Sequence, residues 1–502
     1  MITTRSSIVT LGIFAFVLIP LSANCHAADE LPLELRPYRV ALHVAFDAPQ
    51  FSDSAKTGII DDIRNAAARC IGSQWQLTVT HSAWVQPASR EGLRRLTIAD
   101  VASHAGAVAD DFDVWIVAAI QATGSGWGID VRSWQPAINV SPEPIGDMTY
   151  DLQEAPLLGL RLCYESFRPV GTVEDVDGKQ VRVILQAGAL PVPDDNFSQN
   201  RTGGLFAPVL ASRNRDKKIE RLQPIPWTYL KTVESTASRV TCELFSGLRT
   251  PIGGKQRGKV ETLVVAVKPS FRSTLLDLAT QSKPSLPLVA HRIELRNSAE
   301  IPRPEDGKEP DPRLLTTLLT DRRGQVTLPV NVQNPMIWLF AYSGKNLLAR
   351  VPVIPGLVAK ARLEVPDDSA RLEAESELFK LQGELIEAVA ARNTAVARMR
   401  AAVKRNDATH AKEAAADLKK LPAAQAYLNR VIEIRVPGVK AAKGRKDRAG
   451  EARINRMCDD MVELIKQYLS EDKRESAMEE LKELFSDEET KDLPKTQVDS
   501  GT

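Results

Sequence analysis

Tyr38-Arg39-Val40-Ala41-Leu42-His43-Val44-Ala45-Phe46 puts Val40, Leu42, Val44 and Phe46 on one face of an extended chain, the period-two pattern of a half-buried strand. Ile59, Ile63, Ala66, Ala67 and Cys70 then recur at helical spacing, so the unit reads strand then helix. Trp75 to Val85 alternates again through Leu77 and Val79. Leu93, Leu96, Val101, Ala105 and Val108 suit one helix or a pair of short ones, and Phe112 to Ile120 is a continuously apolar strand. Strands alternating with helices predict a small, at least partly parallel α/β domain over residues 36–165.

Downstream the texture changes twice. Short strands dominate residues 166–272: Val170 to Val176, a tight Asp177-Gly178 turn, Gln180 to Gln186, then Trp227 to Val233, Arg239 to Phe245 and Val260 to Val267, with Pro191 to Gly204 as a loop. That pattern predicts a small β-barrel or sandwich. A second β region, 284–366, carries Val289, His291, Ile293 and Leu295 on one strand face, a Pro/Glu/Asp-rich insertion from Ser298 to Arg313, and the turn Asp321-Arg322-Arg323-Gly324. It reads as an Ig-like or transthyretin-like β-sandwich.

Beyond Asp367 the chain turns helical. Leu372, Leu378, Leu381, Leu385, Val389, Val396, Met399 and Val403 form an amphipathic stripe, broken at Asn406-Asp407. Ala411, Ala415, Leu418, Leu428 and Val431 return as a partner, with Pro422 marking a kink or a restart, so residues 367–436 predict a helical hairpin. Residues 437–450 read as a basic linker, 451–488 as C-terminal helices carried by Met457, Met461, Leu464, Tyr468 and then Leu481, Leu484 and Phe485, and 489–502 as a disordered tail. The expected fold class is therefore multidomain α+β: an α/β domain, a small barrel or sandwich, an Ig-like sandwich and a helical hairpin.

The N-terminus bears on compartment. Arg5 supplies a positive n-region, Ile8 to Ile19 an apolar run, Pro20 breaks it, and Cys25-His26-Ala27 offers small residues for cleavage, which predicts a signal peptide over 1–27. A membrane anchor would need about 20 apolar residues, and a lipoprotein signal a small residue where Asn24 stands before Cys25. Val114 to Ile120 and Met336 to Tyr342 are strand-sized, so no transmembrane segment is expected in a mature chain that is periplasmic or secreted. The 502 residues suffice for about three domains. With 65 basic against 64 acidic residues, no global field would attract nucleic acid or an anionic membrane.

Candidate chemistry is sparse. Gly124-Ser125-Gly126-Trp127-Gly128 follows the strand ending at Ile120, the end at which open α/β sheets bind ligands. A nucleophile elbow would need glycines where Thr123 and Trp127 stand, and a dinucleotide loop one where Ile129 stands. Gly124, Ser125, Gly126 and Trp127 are thus either a strand connection or a ligand loop. Asp110, Asp111 and Asp113 precede that strand and read as turn acids. His43, His81, His104, His291 and His410 have no i, i+4 partner, so no metal and no cofactor is implied locally. Cys70 and Cys163 are the two cysteines of one predicted domain, apart from Cys242 and Cys458. An oxidising compartment would permit their disulfide, and a free buried thiol is the alternative. Lys255, Arg257 and Lys259, and Lys440, Lys443, Arg445, Lys446 and Arg448, are basic runs that either meet anionic cell-wall polymer or lipid headgroups or are simply solvated.

Several motifs together resemble a group of secreted planctomycete-type proteins: Ser166-Phe167-Arg168-Pro169-Val170, Leu185-Gln186-Ala187-Gly188, Phe206-Ala207-Pro208-Val209, Pro226-Trp227-Thr228-Tyr229-Leu230, Thr320-Asp321 with Gly324, Leu348 to Gly356, and Leu372-Glu373-Ala374-Glu375. The resemblance spans most of the mature chain and implies the multidomain plan, without a catalytic residue. The expected function is an exported, non-enzymatic cell-envelope binding or scaffolding protein, its partner another envelope protein or a cell-wall component. The alternatives are a hydrolase near Ser125 and Trp127, and a small-ligand-binding α/β domain.

Overall fold

The computed structural model describes residues 31–469, apart from 48–50, 106–110, 139–140, 200, 216–218, 237, 254–259, 301–310, 406 and 446, together with 476 and 479. The leader 1–27, Asp110, the tip residues Lys255, Arg257 and Lys259, Lys446, the apolar Leu481, Leu484 and Phe485, and the tail 489–502 lie outside the described residues. The chain divides into two compact units. One holds the residues up to Phe245 and Thr250–Val267, the other Ser246–Arg249 and the residues from Lys268 onward.

The first unit begins with β1 (Tyr38–Asp47), α1 (Asp53–Cys70), β2 (Trp75–His81), α2 (Arg90–Arg95), α3 (Ile98–Ala105), β3 (Val114–Thr123), β4 (Gly126–Trp134), β5 (Ile145–Thr149) and α4 (Ala155–Ser166). The sheet order is β2-β1-β3-β4-β5. β1 runs parallel to both β2 and β3, whereas β3, β4 and β5 are antiparallel neighbours. On one face Val40, Leu42, Val44, Ile116, Ile120 and Ile129 pack with Ile59, Ile63 and Ala66 of α1 and Leu160 and Cys163 of α4. On the other, Ala41, Ala45, Trp115, Val117 and Ala119 pack with Val85, Leu93 and Val101 around α2 and α3. Burial on both faces explains why Val114 to Ile120 is apolar without alternation. Local chemistry starts the helices: Ser52 Oγ accepts the Ala55 N–H at 3.2 Å, and Thr97 and Asp100 cap one another reciprocally, Thr97 N–H to Asp100 Oδ2 at 2.7 Å and Asp100 N–H to Thr97 Oγ1 at 3.2 Å.

The same unit continues with β6 (Val170–Asp177), β7 (Gln180–Leu185), β8 (Leu205–Arg213), β9 (Ile219–Pro224), β10 (Thr228–Ser235), β11 (Arg239–Ser246) and β12 (Val260–Ala266). Hydrogen bonding runs β10-β11-β7-β6-β12-β8 and closes from β8 back to β10 through Leu230 and Phe206, which makes a six-stranded barrel with β9 on the flank of β8. Asp177 pairs with Gln180, and the loop between them opens on Gly178 at φ +58°, where glycine carries no Cβ penalty.

The second unit contains β13 (Ser273–Thr280), β14 (Arg292–Arg296), β15 (Leu314–Leu319), β16 (Gln325–Pro329), β17 (Ile337–Ser343), β18 (Asn346–Val353) and β19 (Lys360–Val365). They form a three-stranded sheet, β16-β13-β19, and a four-stranded one, β15-β14-β17-β18. β13 falls between the two β regions expected from sequence. It pairs antiparallel with β16 and parallel with β19, with Thr274, Leu276, Leu278 and Thr280 buried.

Among the described residues four helices follow: α5 (Ser369–Lys404), α6 (Ala408–Lys420), α7 (Ala424–Gly444) and α8 (Arg448–Tyr468). α5 packs against the other three. The expected hairpin over 367–436 is therefore a larger bundle, and the expected linker 437–450 is corrected, because α7 runs through Pro437 to Gly444 and α8 starts at Arg448. Burial of Ala442 with Ile454 and Cys458, and packing of Ile434 and Val439 against that core, hold the helix where proline and glycine alone would end it.

Candidate functional site

Thr123 pairs with Gly126 across β3 and β4, so Gly124 and Ser125 are the two-residue turn of a hairpin. Ser125 is exposed. At Gly126 a Cβ would stand 2.5 Å from the Thr149 carbonyl oxygen, which accounts for this glycine by the close approach of β5. Trp127 is half-buried, its ring 4.9 Å from that of Phe51 and packed on the core. The strand end thus turns back into the sheet instead of opening a helix.

Polar groups gather instead on the opposite sheet face, beside α2 and α3. Alternation along β1 sends Ala41, His43 and Ala45 to that side. Register then places His43 between Thr80 of β2 and Val117 of β3, Ala45 beside Ala119, and Ala119 beside Asp130 of β4. His43 Nδ1 lies 3.0 Å from Thr80 Oγ1 and 3.1 Å from the Oγ of the buried Ser82. His43 Nε2 is buried and has no hydrogen-bond partner among the described residues. The Trp84 ring meets His43 edge-on at 5.9 Å and stacks on His104 at 4.3 Å. Burial first, and the neighbouring His104 second, push the His43 imidazole below its usual value. At neutral pH the ring is uncharged, with one nitrogen donating and the other accepting.

Asp130 is the second element. It is buried, accepts from Gln121 Nε2 at 3.3 Å, and lies 4.0 Å from Arg90 Nε. Its neighbour on β5 is Gly146, where a Cβ would stand 2.0 Å from Asp130 Oδ1, so glycine there makes room for the carboxylate. Burial raises the Asp130 pKa against the opposing pull of Arg90. Arg132 fixes the floor of the region by donating from Nη1 to the carbonyls of Leu93, Arg94 and Leu96 at 2.8 to 3.0 Å. From strand spacing and rise, Asp130 and His43 are about 12 Å apart, too far for direct proton transfer.

The remaining sequence candidates occupy structural positions. Asp113 pairs with Arg39 at 2.8 Å, and His410 sits on its cap residue Asp407 at 2.6 Å. His81 lies against Phe46, and His291 Nδ1 is 3.0 Å from the Val289 carbonyl. Lys443 pairs with Glu451 and Arg445 with Asp367. Cys70 and Cys163 share one core as free thiols, like Cys242 and Cys458, so the Cys70–Cys163 bond is not formed in this structure. Burial pushes the Cys163 thiol up to about 12. Among the described residues no group of three or more His, Cys, Asp or Glu could hold a metal ion, and no helix is long and apolar enough to cross a membrane. The His43, Ser82, Trp84 and His104 grouping was missed because it draws on separate segments. Its one local signal is a histidine between two alanines on the second face of a strand whose first face is aliphatic.

Fold and site together define a multidomain α+β protein with a polar cluster on its mixed α/β sheet. No protein-family model matches the chain, and no curated protein matches it. Among solved structures it is similar to TolB from Acinetobacter baumannii, at 12% sequence identity and a TM-score of 0.17, over 64% of this chain and 83% of that one.

Proposed function

We propose that this chain is an exported, non-enzymatic protein of the cell envelope that binds another envelope component, with the α/β module as its ligand-recognising part. In this reading the strands of residues 273–365 make an Ig-like or transthyretin-like module that, with the barrel, serves as scaffold. The observation that supports it is the unpaired His43 Nε2, on a ring kept neutral by burial and oriented by the Thr80 and Ser82 hydroxyls beside the Trp84 indole and the His104 ring. Such a set discriminates polar ligands by hydrogen bonding, since a buried donor or acceptor left unmatched is costly. The test is the thermal midpoint of the mature chain with soluble peptidoglycan fragments. Binding to the native state raises it, and His43→Leu should abolish the rise. No rise with any such fragment would remove the cell-wall form of the proposal.

A hydrolase is the second reading, and the 3.1 Å Ser82 Oγ to His43 Nδ1 approach favours it at this pair over Ser125. Turnover of ester or peptide substrates that Ser82→Ala eliminates, with Ser125→Ala unchanged, would establish it.

A further inference from the structure

Helix α5 carries two apolar stripes on opposite faces. Ala374, Leu378, Leu381, Leu385 and Ala388 are buried in the helical core of its own unit. Leu372, Phe379 and Ile386, each seven residues from the last, lie on the other side and are 41%, 65% and 63% exposed. Four residues after each comes a small exposed residue, Ser376, Gly383 and Ala390, and Ala397 continues the series. A strict seven-residue repeat of this kind is the signature of a helix–helix seam and not of a solvated face.

We propose that this outer face of α5 is a homodimer seam in which two copies of the chain pair α5 with α5 in antiparallel order. Large and small residues alternate within the repeat. A parallel pair would set large against large and small against small, whereas an antiparallel pair sets each of Leu372, Phe379 and Ile386 against a small side chain, with the polar Ser376 and Asn393 sharing the remaining layer. Charge then selects the register. With Phe379 over Ala390, Ile386 over Gly383 and Leu372 over Ala397 of the second copy, Lys380 of each copy comes beside Glu387 of the other. The symmetry makes that pair twice. Lys380 is exposed and bonded within its own helix to Glu377 at 2.6 Å, a solvated i, i+3 pair that gives way at little cost. The overlap spans about 39 Å of helix and removes on the order of 1,000 Å² in total, the level at which an interface becomes specific. This assembly is independent of the ligand reading of the α/β module.

Sedimentation equilibrium of the full mature chain, with secondary structure and melting recorded on the same samples, tests it. The wild type should dimerise at micromolar concentration. Phe379→Asp and Gly383→Phe should each raise the dimer dissociation constant at least about tenfold with unchanged secondary structure. The second variant is the cleaner one, because a Cβ at the exposed Gly383 has nothing beyond its own helix backbone within 4 Å. Lys380→Glu should weaken the dimer, and adding Glu387→Lys should restore it. A monomer at every concentration, a dimer indifferent to Phe379→Asp or Gly383→Phe, or a charge swap that fails to restore pairing would overturn the proposal.

Discussion

Arg371 grips both carboxylate oxygens of Asp368, with Nε at 2.8 and 2.9 Å and Nη2 at 2.6 Å, at the point where β19 gives way to α5. Arg371 is 2% exposed and also donates to Ser343 Oγ at 3.2 Å and Glu375 Oε2 at 2.5 Å. The guanidinium therefore ties the first turn of α5 to the end of β17, with geometry that a lysine could not supply.

Removing Asp368 leaves Arg371 buried with Glu375 as its one remaining carboxylate. Asp368→Ala should cost about 2–3 kcal/mol in urea unfolding, because the bidentate partner is lost while part of the charge stays compensated. The double change Asp368→Leu with Arg371→Met should cost less, since both buried charges leave together and the half-exposed Glu375 can stay solvated. Equal losses in the two variants would show that backbone disruption at the helix start, and not the charge, sets the effect.

His43 should make the fold acid-sensitive. Its pKa is lower in the folded chain than in the unfolded one, so the unfolded state takes up a proton first as pH falls. Stability from this group is fully present above the ordinary histidine value near 6.5 and is lost as pH drops through the folded value. His43→Gln should flatten the fall in melting temperature between neutral pH and pH 5. A parallel pair of pH profiles would contradict the burial of the ring.

Asp130 works in the opposite direction. Its raised pKa means that the protonated carboxyl suits the fold, so its contribution is complete below the ordinary carboxylate value and is lost as pH rises through the folded one. Asp130→Asn mimics the neutral form and should stabilise the protein at pH 8 by about 1 kcal/mol. The gain should fade toward pH 4. If the cluster binds a polar ligand, the same variant should bind it less well, the exchange of stability for function that recurs at such sites.

What sequence could show here follows how local each signal is. β1, α1 and the hairpin at Gly178 were legible because alternation, helical spacing and an Asp-Gly turn are properties of neighbouring residues. The strand pattern alone fits a barrel or a sandwich equally, since closure depends on Leu230 meeting Phe206, and no period in the chain records a pairing at that separation. β13 escaped because two of its inward positions are Thr274 and Thr280, whose hydroxyls are satisfied internally: Thr274 donates to the Val358 carbonyl at 2.6 Å, and Thr280 Oγ1 accepts the Leu286 N–H at 2.9 Å. Pro437 and Gly438 read as a break because helix propensity weighs them without the burial of Ala442. The His43 cluster is a product of sheet register, and adjacency across strands leaves no trace in spacing along the chain.

Gly356 offers a test in which backbone conformation and space can be separated. It lies at φ +81°, its N–H donates to Thr274 Oγ1 at 2.9 Å, and its carbonyl accepts from the N–H groups of Ser270 and Phe271 at 2.8 and 2.9 Å. A Cβ at this position would meet the Phe271 carbonyl oxygen at 2.4 Å and Val330 Cγ2 at 2.5 Å, so the Phe271 backbone just ahead of β13 would have to move. Gly344 shares the left-handed conformation, at φ +59°, but has nothing within 4 Å of its Cβ position. Gly344→Ala should therefore cost only the conformational penalty, about 1 kcal/mol. Gly356→Ala adds the collision and should cost more than about 2 kcal/mol. Denaturant melts of the two variants would read the difference directly, and equal losses would place the whole effect in the backbone angle and none in the packing between the Gly356 turn and the Phe271 backbone.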